Sequence, residues 1–280
     1  VSLDKEFEKL KKQIERLIRR EEKAIVKNYK STLTDLRNLM ANIHAKHEID
    51  GQLTFVEMAK YDRLKKMDKE ITVLIQELYK SNTKVTATAL REVYKQNFYG
   101  TRSIIETATG KRLRGILKQE VLDRAITNEI SGLKWTERMG LHRNTAVIKI
   151  RETVRQGLQQ GSTYKQMSDR LLEAMNNNVV NPTRIVRTES HRVMEASKLD
   201  SLENAHNQGV KMIKRWVSAK DERVREVGEG GHTAMDGQEV AFGEDFYNPD
   251  TGGRGPTPGQ MGNAKDDCNC RCIFVIDIIQ

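Results

Sequence analysis

Cys268, Cys270 and Cys272 are the chain's three cysteines, and they stand one residue apart in the run CNCRC. On a strand, alternate residues share a face, so the three thiols would point one way and Asn269 and Arg271 the other. Thiolates with an imidazole make a tetrahedral zinc site, and His232, in the preceding glycine-rich stretch, is the natural fourth ligand. Zinc ribbons space their cysteines more widely, so CxCxC equally describes small thiols buried in a last strand. The packing reading is preferred, and zinc stays open beside it. An odd number of adjacent cysteines argues against a disulfide framework and for reduced thiols.

Other chemistry finds less support. A nucleophilic enzyme needs a thiol or hydroxyl beside a base and an orienting acid, and no GxSxG-type turn accompanies these residues. There is no P-loop, which excludes a nucleotide-driven motor. Arg187, Glu189, Asp221, Arg223 and Arg225 are assigned to structure, as arginine and carboxylate groups that fix loops by bidentate hydrogen bonds; a phosphate site is the less favoured reading. His44 and His47 lack carboxylate company and are placed on the surface near a helix end.

The elements that must hold these groups begin with a helical run over Val193, Ala196, Leu199 and Leu202, for which Asn181-Pro182-Thr183 is the start signal. Arg187 and Glu189 then fall near its beginning. Gly209 ends it, and Met212, Lys214, Trp216 and Ser218 alternate like a half-buried strand. Asp221-Glu222-Arg223 and Asp236-Gly237 are turn sequences. Ile273 to Ile279 is an apolar, β-branched run suited to a central strand. Asn248 to Gly262, with five glycines, reads as a mobile surface loop.

Upstream, no proline precedes Pro182, so long helices are permitted. Leu3, Phe7, Leu10, Ile14 and Leu17 form an a/d seam that slips once and resumes through Ile18, Ile25, Tyr29, Leu33, Leu36, Met40 and Ile43. Such a stripe, with little local sequence to cover it, is expected to bind a protein partner. Asp50-Gly51 breaks the helix, Thr54 caps a second one whose seam runs through Tyr61, Leu64, Ile71, Ile75 and Leu78, and Ser81-Asn82-Thr83 begins a third that Gly100 closes. Asp68 interrupts the second seam. Further helices follow, one through Trp135, Met139, Leu141, Val147, Ile150, Val154 and Leu158, the next capped at Ser162.

The expected fold class is α+β, mostly α. An elongated basic helical arm (1–100) and a helical linker domain (101–181) precede a small α+β domain with a short sheet (182–280). The net charge of +9 is uneven: residues 1–181 hold 35 Lys and Arg against 23 Asp and Glu, and the remainder 13 against 16. A basic surplus there favours nucleic acid or an acidic protein surface, although interleaved acids also describe a solvated helix face. No apolar run suits a membrane span, and the opening VSLDKEFEKLKK is no secretory signal. A soluble protein made in the cytoplasm is expected.

The order RTE at Arg187 to Glu189, a tryptophan strand at Trp216, DERVR from Asp221, a histidine four residues before Asp236-Gly237, and CRC before a hydrophobic strand resembles the C-terminal domain of the phage Mu F-like minor head proteins. KWTERM at Lys134 to Met139 and GLQQGSTYKQMSDRL at Gly157 to Leu171 are similar to that family's helical lead-in. Val227-Gly228 and Asp267-Cys268 depart from the family's CxxC or CxxH and His-Pro positions. The resemblance implies a structural minor capsid protein of the virion interior, made in the host cytoplasm and present in multiple copies per head. Docking on the portal protein, contact with major capsid or scaffold protein, and non-specific contact with double-stranded DNA during packaging or ejection follow from it. The competing class is a metal-dependent nuclease or a toxin-like transferase. The family also occurs beside ADP-ribosyltransferase toxins, but the one ExE here, Glu6 to Glu8, lies inside the first helix and no toxin segment is expected.

Overall fold

The computed structural model describes residues 3–130 and 132–279. Helices dominate: α1 (Leu3–His47), α2 (Phe55–Ala59), a 3₁₀ turn (Lys60–Asp62), α3 (Arg63–Thr109), α4 (Gln119–Thr127), α5 (Trp135–Gln159) and α6 (Tyr164–Asn207). Then come β1 (Met212–Val217), β2 (Glu239–Ala241), β3 (Phe246–Tyr247), β4 (Arg254–Gly255), the short helix α7 (Ala264–Asp267) and β5 (Ile273–Ile278). The fold class is thus α+β with helix predominant. Among the described residues no helix is long and apolar enough to cross a membrane.

The chain forms two compact units, residues 1–21, 87–135 and 186–280 in one and residues 22–86 and 136–185 in the other. They interleave along the sequence, whereas divisions at 100/101 and 181/182 follow composition and turn signals. In the helical unit, Ile25, Tyr29, Leu33, Leu36 and Met40 of α1 are buried, as are Met67, Ile71, Ile75 and Leu78 of α3, Ile150 and Val154 of α5, and Met167 and Leu171 of α6. Phe7, Leu10, Ile14 and Leu17, which precede them on α1, are buried as well. The stripe expected to await a partner is therefore covered by the chain itself. Phe7 joins one core cluster with Ile105, Leu202, Trp216 and Phe274, so removing the start of α1 would open the core that holds the sheet.

Several predicted boundaries give way to packing. Asp50 and Gly51 take positive φ and end α1 as expected, and the Thr54 hydroxyl accepts from the Glu57 amide at 3.3 Å. The next helix, however, kinks at Tyr61, whose φ is +53° and whose ring is 80% exposed, so the seam runs through Met67 instead. Ser81-Asn82-Thr83 does not begin a helix, because α3 runs through it; Asn82 is buried and accepts from Asn28 at 2.8 Å. Nor does Gly100 close one. A Cβ there would come within 2.6 Å of Leu10, so the glycine lets α1 approach α3.

Asp68, the odd residue of the second seam, is buried beside Arg155, and its carbonyl accepts from Arg151 at 3.0 and 3.2 Å. His44 is likewise buried, edge-on to Tyr164, rather than at the surface, and His47 is half-buried.

Asn181-Pro182 starts nothing. The helix begins at Tyr164, where the Thr163 hydroxyl accepts from the Gln166 amide and the Gln166 side chain accepts from the Thr163 amide, a reciprocal cap. Pro182 then lies inside α6, where it cannot donate to the carbonyl four residues back. That carbonyl, of Asn178, instead lies 3.2 Å from the Tyr29 hydroxyl, which also meets Tyr79 at 3.0 Å. A distant tyrosine thus supplies the donor that proline lacks, and the helix continues.

In the other unit β1 is central in an antiparallel sheet of order β2-β1-β5. Ile273 to Ile278 is therefore an edge strand, yet a buried one, paired from Val217↔Ile273 to Met212↔Ile278. Met212, Lys214 and Trp216 alternate inward along β1 as the pattern predicts. The stretch from Asn248 to Gly262 is not loose: it contains β4, and Asn248, Gly253, Gly255 and Thr257 are buried. A Cβ at Gly255 would overlap the carbonyl of Gln260 and lie 2.9 Å from the Met261 Cα. Since backbone cannot rotate away as a side chain can, Gly255→Ala is expected to cost about 1–3 kcal/mol. Urea unfolding of the two proteins at equal slope measures it.

Candidate metal centre

Three segments bring the thiol and imidazole groups together. The first is the glycine-rich turn before His232. Its amides fold around Asp250, whose carboxylate accepts from Gly228 at 3.0 Å and from Gly230 at 2.7 Å. Gly230 and Gly231 have φ of +132° and +60°, and a Cβ on either would come within 2.7 Å of Arg225 or Asp250. Only glycine meets both demands, and the turn delivers His232 into the interior, 2% exposed.

The second segment is α7, capped by the Asn263 side chain, which accepts from the Asp266 amide at 2.9 Å. Asp266 is fully buried and its carboxylate is well served: Asn248 donates at 2.8 Å, Thr251 at 2.6 Å and Asn263 at 2.6 Å. His232 Nε2 lies 3.3 Å from Asp266 Oδ1. With a carboxylate as partner, Nε2 carries the proton and Nδ1 presents its lone pair.

The third segment is CNCRC, and here the geometry differs from the expectation. The cysteines precede β5 and are not on a strand, because Asn269 takes φ +56° and turns the chain. Cys270 and Cys272 are buried, with sulfurs 3.7 and 3.5 Å from His232 Nδ1. Cys268 is half-buried and is not in this group; of the four residues proposed from spacing, the fold gathers His232, Cys270 and Cys272, whose ligand atoms lie within 4.8 Å of one another. Trp216, on β1, sets its ring edge-on to the imidazole at 5.7 Å and to Phe246 at 5.3 Å.

The thiols differ in acidity. A hydrogen bond from the Cys270 thiol lowers Cys272 to about 5 against the opposing effect of burial, while the same thiol contact and burial push Cys270 well up.

Around the cluster, the other motif residues act as braces. Asp236 accepts from the Ser218 amide at 2.8 Å, and Gly237 donates to the Trp216 carbonyl at 2.9 Å, so the DG turn continues the β1 edge. Asp221 is not buried; it binds Arg271 through both carboxylate oxygens, which holds its pKa down to about 2, and meets the exposed Arg223 at 3.8 Å. Arg225 grips backbone rather than a carboxylate, donating to the carbonyls of Asp266 and Cys268.

Within RTE, Arg187 is exposed, Thr188 accepts from the Asn269 amide at 3.1 Å, and Glu189 is fully buried against Arg192 at 2.8 Å. None of these lies near a helix start.

Sequence reasoning missed Asp266, Arg192, His191, Glu195 and Lys198. Arg192 extends its guanidinium to the carbonyls of Ala125 at 2.7 Å and Ile126 at 3.3 Å, at the end of α4. The buried His191 imidazole donates to the Cys272 carbonyl and is held neutral, its pKa lowered to about 3 chiefly by burial. The available signal was the small residues of α6, Ser190, Ala196 and Ser197, which allow close packing on every side.

Comparison with known proteins places this arrangement. The family model of Phage Mu protein F like protein matches residues 148–275. Over 276 residues the chain is 33% identical to the minor head protein GP7 of Bacillus phage SPP1, covering 96% of this chain and 87% of that protein. It is 23% identical over 252 residues to the NAD(+)–arginine ADP-ribosyltransferase EFV of Enterococcus faecalis, covering 89% of this chain and 50% of that protein. No solved structure matches. With a third of its residues identical along nearly its whole length to a minor head protein, and the Mu F match spanning α6, the sheet and the cysteine segment, the chain belongs to the phage Mu F-like family of minor head proteins.

Proposed function

We propose that this chain is a structural minor head protein that docks on the portal inside the assembling procapsid, in multiple copies, with major capsid or scaffold protein as further neighbours. Its place is then the virion interior, after synthesis in the host cytoplasm. The observation that carries the reading is the identity to a minor head protein across 96% of the chain. Because the α1 seam is already buried, docking falls to the charged outer faces of the helices. The surplus of basic residues in 1–181 supports sequence-independent contact with packaged DNA.

Catalysis has less behind it. The transferase relative is matched over half its length, and the two carboxylates of the ExE are on a solvated helix face, Glu6 paired with Lys9 at 2.6 Å and Glu8 with Lys12 at 2.8 Å.

Co-expression with the phage's portal subunit and affinity capture of the portal tests both contacts. Capture that survives nuclease treatment marks protein docking. A fraction lost to nuclease, and lost steeply with salt in its absence, marks DNA. Absence of capture at low salt before nuclease treatment would remove both.

A further inference from the structure

We propose that His232, Cys270 and Cys272 bind one zinc ion, and that its fourth position is taken by solvent from the adjoining cleft, not by Cys268. The first ground is distance. Zinc bonds of ~2.3 Å to sulfur and ~2.0–2.1 Å to nitrogen at tetrahedral angles put nitrogen and sulfur ~3.6 Å apart. Nδ1 stands 3.5 and 3.7 Å from the two sulfurs.

The second ground separates a metal from hydrogen bonding. Nε2 faces the buried Asp266 carboxylate, so Nδ1 offers one lone pair. Hydrogen bonding in series, from Cys270 to Cys272 and from Cys272 to the imidazole, gives the 3.7 Å approach of the Cys270 sulfur to Nδ1 no role. A cation between the three atoms satisfies all of them at once. Carboxylate, imidazole and metal in series is also the usual way a protein orients a histidine ligand, and Asp266 is fixed by three side-chain donors before it meets the ring.

The third ground is the ligand set and its surroundings. Two thiolates and an imidazole suit zinc over the hard cations. Binding releases the thiol protons to solvent, and two thiolates balance the dication. The remaining Asp266 charge has Arg225 beside it, donating to that residue's carbonyl at 3.2 Å. Among the described residues no fourth histidine, cysteine or carboxylate shares the group. The three ligands instead line a cleft with Arg223, Arg225, Asn269 and Arg271, through which water reaches the open position. The ion would fasten the His232 turn to the segment that leads into β5.

The test uses the full chain, purified without chelator and analysed for metal. About one zinc per chain is expected, and X-ray absorption should give two sulfur and two lighter neighbours. After chelation, cobalt(II) titration should produce sulfur-to-metal charge transfer and the intense visible bands of a tetrahedral ion. Cys268→Ser should keep the metal. His232→Ala, Cys270→Ser and Cys272→Ser should lose it, and Asp266→Asn, a positioning change, should weaken binding about 10- to 100-fold.

Zinc below ~0.1 per chain with no charge-transfer band on reconstitution of the unaltered protein would overturn the site. Three sulfur neighbours, with loss of metal in folded Cys268→Ser, would overturn the three-ligand assignment. Since the metal count, absorption and cobalt spectra come from the unaltered chain, a variant that fails to fold leaves the result decided.

Discussion

Lys198→Met is expected to destabilise the protein by about 3–5 kcal/mol, because it leaves Glu195 as an uncompensated charge at a fully buried position. Both carboxylate oxygens of Glu195 lie 3.1 Å from Lys198 Nζ. The pair does more than neutralise itself. Glu195 accepts from the Phe274 amide at 3.1 Å, and Lys198 donates to the Phe274 carbonyl at 2.9 Å. Phe274 is in β5, the edge of the sheet, so α6 covers with two side chains the backbone groups that another strand would bind. His191, one turn earlier, treats the Cys272 carbonyl the same way.

This geometry makes a double substitution informative. A buried ion pair that only balances itself can be exchanged for apolar residues at little cost. Here, exchanging both Glu195 and Lys198 for methionine strands the Phe274 N–H and C=O, at about 1–3 kcal/mol each. The double variant should therefore remain at least ~2 kcal/mol less stable than the parent in urea unfolding. A double variant as stable as the parent would show that the strand edge does not need the pair.

The same residues explain what could be read in advance and what could not. Alternation along Met212 to Trp216 and the apolar run after Cys272 placed β1 and β5, since both depend on local pattern alone. The partner of Asn178's carbonyl is 149 residues away in Tyr29, so no local rule could have carried α6 through Pro182. The α1 seam was visible, but what covers it is settled by residues from α3 onward, which periodicity does not identify.

For the cluster, residue type pointed to cysteine and histidine, but the assumption that CxCxC runs straight along a strand fails at Asn269. Asn269 in the left-handed region removes Cys268 from the group, and asparagine is the residue type, after glycine, that adopts this conformation most readily. Asp266 was invisible because its value comes from Asn248, Thr251 and Asn263 converging on it, a property of the folded loop.

Arg192→Met is expected to cost about 3–5 kcal/mol as well, for a different reason. The guanidinium is 1% exposed and makes four contacts in a plane: Glu189 Oε2 at 2.9 Å from Nε and 2.8 Å from Nη2, the Ala125 carbonyl at 2.7 Å and the Ile126 carbonyl at 3.3 Å. The last two are carbonyls at the end of α4, which have no amide of the next turn to accept from and need an external donor. Methionine fills the volume but donates nothing, so the loss falls on α4 as well as on Glu189. Lysine keeps the charge yet cannot present a planar fork to a carboxylate and two carbonyls together, so Arg192→Lys should recover less than half of the loss. Hydrogen exchange separates this from general destabilisation. The amides of Leu122 to Thr127 should lose protection in Arg192→Met more than those of β1, whereas equal loss in both would mean that the arginine serves the core and not the end of the helix.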